Sequence, residues 1–278
     1  MRYLITKDFR KLILLNQEEL SKNLVLKSNI KNLIYKNKTI SLNDLNKVSK
    51  IINLKDLNFK EIYFSPQKNL GKHSQSPKIN FTGKNKKFAE LIGIILGDGN
   101  LYHNMLRITL SKNEKPYVNY IKELIYELFG ITSKEYFSQR SNTITVYVYN
   151  KNLSNLLVKY GIKRGNKVKN QVEVPSWVKD NGIYSLSCLK GLIDTDGCVY
   201  NCKRDQKNYI KFTNHSNNLI NDVLEVSKIH GFEFKSAGKH NICLYKEESI
   251  AKYLKKVGFS NEKHINRWGR SVAWTTKR

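Results

Sequence analysis

The chain has 278 residues, 40% of them hydrophobic, enough to fill the cores of about two ordinary domains. Its 49 Lys and Arg against 23 Asp and Glu leave a formal net charge of +26; a polyanion relieves such self-repulsion, and nucleic acid is the expected partner. A membrane role and export are not expected, because no apolar run approaches a ~18-residue span and the start MRYLITKDFRKLILL lacks the apolar core of a signal.

Residues 1–64 read as four or five short helices, with Asn16 and Ser41 placed to cap two of them ahead of Glu19 and Asp44. The stretch 17–54 looks like the helix-turn-helix of repressor-type domains. In that pattern Leu20, Leu24, Ile30, Leu45 and Ile51 are core, and Lys27, Ser28, Asn29, Lys31 and Asn32 face a DNA groove. Val25 stands where Gly is usual and the turn is one residue short, so a generic helical bundle remains the alternative. Residues 65–87, SPQKNLGKHSQSPKINFTGKNKK, are expected to be a basic linker.

Beyond the linker the chain repeats itself as two halves, 88–174 and 175–278. FAELIGIILGDGNLY (88–102) matches LSCLKGLIDTDGCVY (186–200), and each is followed by an alternating strand, a helix ending in Gly130-Ile131 or Gly231-Phe232, a second strand, and a helix ending at Gly161 or Gly258. Four cysteines, Cys188, Cys198, Cys202 and Cys243, form no CxxC pair and have no histidines at zinc spacing. Reduced thiols are therefore expected, in a compartment that also holds DNA: the cytoplasm with its nucleoid, or an organelle.

LIGIILGDG (91–99) and LKGLIDTDG (189–197) carry the chemistry. Gly93 and Gly97 in the first, and Gly191 and Thr195 in the second, put small residues four apart on one helix face, which lets two helices approach closely. Each helix is expected to end at Asp98 or Asp196, followed by a Gly that accepts positive φ. An acid there opposes the negative end of the helix dipole. Packed helices would bring the two carboxylates together, at roughly 3 kcal/mol of repulsion for a ~5 Å separation and an effective dielectric of about 20. A hard divalent cation relieves this: Mg2+ first, with Mn2+ or Ca2+ as substitutes in binding.

Two such motifs at matching places in a repeat resemble the LAGLIDADG homing endonucleases in their two-motif, monomeric form, over about residues 85–265. The resemblance implies an α+β fold: two pseudo-symmetric αββαββα halves with saddle-shaped antiparallel sheets, here preceded by a small all-α domain. It implies metal-dependent hydrolysis of one phosphodiester in each strand of double-stranded DNA, leaving short 3′ overhangs. The metals would sit at Asp98 and Asp196 with Gly97 and Thr195 beside them, and Lys167 in GIKRGNK and Lys263 in GFSNEK would take the place of an activating lysine. Asp194 carries no expected catalytic role, because Leu96 stands at the matching position. The competing expectation is a cleavage-inactive relative, a transcription regulator or intron maturase. Retention of both Asp98 and Asp196 speaks against it.

Strand alternation names the DNA-facing set. It comprises Arg107, Thr109 and Ser111; Thr143, Thr145, Tyr147 and Tyr149, with cross-strand packing as the alternative task of the two tyrosines; and Tyr209, Lys211 and Thr213. The resemblance also implies a polar or basic pair after the first strand of each half, Ser111-Lys112 and Asn214-His215, around the metals and on the DNA, and Arg140, Lys203 and Arg204 in loops are expected on phosphates.

Overall fold

The computed structural model describes residues 2–4, 7–23, 30, 33, 39–54, 61–62, 78–202, 204–205 and 207–275, and the chain divides into two compact units, Met1–Gln75 and Ser76–Arg278. The N-terminal unit runs β1 (Arg2–Leu4), α1 (Lys7–Leu15), α2 (Gln17–Asn23), β2 (Thr39–Ser41), α3 (Leu42–Ser49) and β3 (Glu61–Ile62). Its helices bury Phe9, Ile13, Leu20, Leu45 and Val48 in a core of their own, which also takes Ile30 and Leu33; Ile51 packs at its margin. Leu24 and the expected groove-facing residues Lys27, Ser28, Asn29, Lys31 and Asn32 lie outside the described residues. An all-α unit is not what forms: the three strands make an antiparallel sheet in the order β2-β1-β3. Strands of two or three residues are too short for a period of two to show in the sequence.

The larger unit begins inside the stretch whose composition suggests a linker. Ile79 and Phe81 pack on the core, Phe81 stacks against Phe129 at 5.8 Å, and Asn85 accepts from Phe88 N–H at 2.9 Å to cap the helix that follows. These anchors are hidden in sequence by their polar neighbours. The first half then runs α4 (Lys86–Gly97), β4 (Gly99–Leu101), β5 (Met105–Ser111), a 3-10 turn (Lys112–Glu114), α5 (Lys115–Phe129), β6 (Lys134–Phe137), β7 (Thr143–Tyr149) and α6 (Lys151–Lys159). A short α7 (Ser176–Lys179) leads into the second half: α8 (Gly182–Asp196), β8 (Gly197–Cys202), β9 (Lys207–Thr213), α9 (Asn217–Ile229), β10 (Lys235–Ser236), β11 (Asn241–Leu244), α10 (Glu247–Lys256) and α11 (Glu262–Thr275). The two four-stranded antiparallel sheets have equivalent orders, β4-β5-β7-β6 and β8-β9-β11-β10.

The repeat is physical as well as textual. The glycines predicted to end helices, Gly130, Gly161, Gly231 and Gly258, all have positive φ. One continuous apolar core joins α4, α8 and the buried faces of both sheets, with Leu106, Ile108, Leu110, Ile144, Val146 and Val148 from the first and Ile210, Phe212 and Ile242 from the second. The alternate residues Arg107, Thr109, Thr145, Tyr147, Lys211 and Thr213 stay partly or fully exposed, as the strand period predicts. Among the described residues, no helix is long and apolar enough to cross a membrane.

Candidate metal and nucleic-acid site

Helices α4 and α8 cross face to face through their small residues. A Cβ on Gly191 would lie 2.8 Å from Ile94 N, and one on Gly93 would lie 3.0 Å from the Cys188 carbonyl carbon and collide with its oxygen. The glycines after the two aspartates do a different task from the one expected. Gly197 has φ −89° and ψ 161°, and neither it nor Gly99 takes positive φ. They are needed because the chain doubles straight back from helix into strand: a Cβ on Gly99 would come within 2.5 Å of Ile95 Cα, and one on Gly197 within 2.8 Å of Ile193 Cγ2.

This geometry delivers Asp98 and Asp196 together, both partly buried, with Asp196 Cγ only 3.5 Å from where a Gly97 Cβ would stand. Burial first, and the Asp196 charge second, lift Asp98 to about 7. Burial also raises Asp196, against the opposing pull of Lys167, the Asn214 amide and Lys263. Asn214 Nδ2 donates to Asp196 Oδ2 at 2.7 Å, so its amide lies on the acid. Lys167 donates to the Leu96 carbonyl at 3.0 Å and to the Gly97 carbonyl, so it caps the end of α4 beside both acids. Burial lowers its pKa while Asp196 and Asp98 raise it. Lys263 also lies within electrostatic reach of both aspartates, but its ammonium pairs with Glu114 at 2.8 Å. Thr195 turns its hydroxyl back to the Gly191 and Leu192 carbonyls, at 2.8 and 3.0 Å.

The remaining expected residues distribute as follows. Thr109 and Thr145 hydroxyls meet at 3.2 Å, Arg107 lies 5.5 Å from the Tyr102 ring centre, Tyr147 packs edge-on to Tyr149, and Thr213 donates to Asn241 Oδ1 at 2.8 Å. Ser111 caps the 3-10 turn and Lys112 donates to the Ser138 carbonyl at 2.7 Å, so both are tied locally. His215 is exposed and packs at a tilt against His240, their ring centres 4.6 Å apart. Arg140 and Arg204 are exposed between strands, and Lys203 lies outside the described residues. Strand register also corrects a pairing: with Gly99 opposite Ile108 and Gly197 opposite Phe212, Asn214 matches Leu110, not Ser111. All four cysteines are free thiols.

A polar network that sequence reasoning missed lies under the acids. Buried Glu90 on α4 pairs with Lys190 on α8 at 2.8 Å and accepts from Tyr120 at 2.6 Å and Ser260 Oγ at 2.8 Å. Asp194, fully buried, accepts from Ser260 N and Asn261 N at 2.9 and 3.3 Å, while Asn261 Nδ2 reaches Glu114 at 2.8 Å. The signal was Glu90 in one motif helix, and Lys190 and Asp194 in the other, charged residues among largely apolar neighbours.

His264, buried on α11 against Phe259, is pushed down to about 4 by burial. A depressed His stabilises the fold fully above the unfolded value near 6.5 and loses that contribution as pH falls through the 6.5-to-4 window, by about 3 kcal/mol. His264→Phe is expected to gain stability relative to wild type as pH falls from 7 to 4, by thermal melts; parallel pH profiles would refute it.

Residues 184–258 match the family model described as a LAGLIDADG-like domain. Curated relatives include a tRNA-splicing ligase RtcB of Methanopyrus kandleri, 26% identical over 204 residues, and a replication factor C small subunit of Methanocaldococcus jannaschii, 28% identical over 207. The match takes in 62% and 63% of this chain but only 20% and 11% of those proteins. Solved structures that resemble it include I-DmoI in complex with DNA and Mn, at 17% identity and TM-score 0.45 over 63% of this chain and 98% of that one. Another is the N-terminal LAGLIDADG domain of WhiA, at 13% identity and TM-score 0.47 over 68% and 90%. The family model lies on the second half, and the motif, strand order and helix-ending glycines of that half recur in the first: the chain carries a LAGLIDADG-like domain in its second half and the same architecture in its first.

Proposed function

We propose that the chain is a monomeric, site-specific endonuclease that hydrolyses both strands of a DNA duplex with divalent metal at Asp98 and Asp196, leaving short 3′ overhangs. One observation carries the reading: two partly buried carboxylates meet where two close-packed helices end and two sheets begin. The donor set suits a hard cation, since it offers carboxylate and carbonyl oxygen. Among the described residues no three His, Cys, Asp or Glu side chains gather on one point, so water and phosphate oxygens would complete the shell, as Mg2+ prefers. A metal held by Asp98 and Asp196 would lower the pKa of a bound water and offset charge on the phosphate. The chain's own groups do the rest. Asn214 orients Asp196, Lys167 and Lys263 bring positive charge to the pair, and the exposed sheet faces hold the duplex. The N-terminal unit, in the same reading, lengthens the contact on DNA.

The test is digestion of a randomised plasmid library by the whole chain with Mg2+, sequencing the ends formed. Defined ends that vanish with a chelator support the enzyme; retarded DNA without ends replaces it with the cleavage-inactive binder. Affinity for the recovered duplex is expected to fall steeply and log-linearly with salt, since the basic chain displaces counterions. A flat salt profile would rule out a phosphate-dominated interface.

A further inference from the structure

Strand register sets out what each sheet exposes, rung by rung. In the first sheet Asn100 pairs with Arg107, and Arg107 with Tyr147. In the second, the same rung holds Cys198, Lys211 and Cys243. The rung nearest the acids sets small polar side chains together in both sheets, Thr109 with Thr145 and Thr213 with Asn241, with Tyr136 at the edge of the first. The outer rung is largely aromatic in both, with Tyr102 and Tyr149 in one and Tyr200, Tyr209 and Tyr245 in the other, where Tyr200 stacks on Tyr209 at 5.2 Å. The halves therefore differ most in the middle. There the first sheet sets the guanidinium of Arg107 among Asn100, Tyr147 and Lys134, and the second has Lys211 between Cys198 and Cys243 with Lys235 beyond, lysines and no guanidinium. A lysine is a point charge without the planar fork that selects guanine.

Helix α11 supplies what that rung lacks. It packs along β8, the edge strand of the second sheet, and its exposed Arg267 donates from Nη1 to Cys198 Sγ at 3.4 Å. Cys198 is the middle-rung residue of β8. This contact of Arg267 is a weak one, because a thiol is a poor acceptor beside guanine O6 and N7. We propose that the C-terminal helix is a DNA-reading element of the second half, and that Arg267 is its specificity-determining residue, the counterpart of Arg107 brought from outside the sheet. This rests on the duplex-binding reading above. One rung is two strand residues, ~6.7 Å, or about two base pairs, so both arginines act about two pairs outward from the inner rung.

The experiment takes the duplex that the full wild-type chain selects from a randomised pool, and measures binding to every single-pair variant of it for wild type, Arg267→Ala, Arg267→Lys and Arg107→Ala. Expected is a roughly ten- to hundred-fold loss of discrimination by Arg267→Ala at one or two adjacent pairs of one half-site. Arg107→Ala should relax the mirror-related pairs of the other half-site. Arg267→Lys should keep the salt slope and lose the discrimination. If Arg267→Ala melts like wild type and discriminates like it, or weakens all variants equally, Arg267 is an edge cover or a phosphate contact and the inference falls. If wild type selects no duplex, the duplex reading itself fails and takes this inference with it.

Discussion

Asp98→Asn and Asp196→Asn are each expected to lower double-strand cutting by about three orders of magnitude or more, matching the several kcal/mol of charge stabilisation a catalytic metal provides. Duplex binding should survive, because the residues expected on DNA stand on the sheets and loops. Rates on the recovered target and gel retardation with Ca2+ measure the two separately; wild-type cutting by either variant would falsify the assignment. The same change has a second expected effect. Asp98 is near 7 in the fold against 3.8 for the free side chain, so the metal-free protein loses stability as pH rises from about 4 to about 7, by up to about 4 kcal/mol. Metal-free Asp98→Asn should therefore melt higher than wild type at pH 8 and no higher below pH 4. Equal melting at pH 8 would mean that the carboxylate is not strained by its surroundings.

Gly93→Ala and Gly191→Ala are expected to destabilise the larger unit by about 3 kcal/mol or more each, because the added methyl meets backbone, the Cys188 carbonyl in one case and Ile94 N in the other. Backbone cannot rotate out of the way as a side chain can. The helices must part, and cutting should fall with stability since the acids part with them. Gly165→Ala is the control: its φ of 87° strains an alanine, but nothing lies within 4 Å of the new atom, so a loss of only about 1 kcal/mol is expected. Equal losses at all three positions in denaturant titrations would remove close helix contact as the explanation.

Much of this site was legible because its features are local and repeated. Small residues four apart, an acid against the helix dipole, and alternation in TITVYVY each follow from a single period, and the second copy confirms the first. What escaped was set by contacts distant in sequence. Glu114 became Lys263's partner only when the 3-10 turn after β5 met the first turn of α11. The hairpin from Gly197 to its partner Phe212 is six residues longer than that from Gly99 to Ile108, so position along the chain could not set the register of Asn214. Arg267 sits on an amphipathic helix beyond the last repeated element, where no pattern ties it to a sheet edge.

Each half also reaches into its neighbour. Gln171, at φ 40°, and Val172 of the first half accept from Asn217 N, Asn218 Nδ2 and Ser216 Oγ, and Val174 N–H donates to Asp222, while Ser260 and Asn261 of the second clasp Glu90 and Glu114. A hybrid assembled from one half of this chain and one half of a cousin would thus inherit two mismatched buckles. Grafts that carry segments 163–174 and 258–263 along with the half they fasten onto should assemble, and those that divide the chain simply at its midpoint should not.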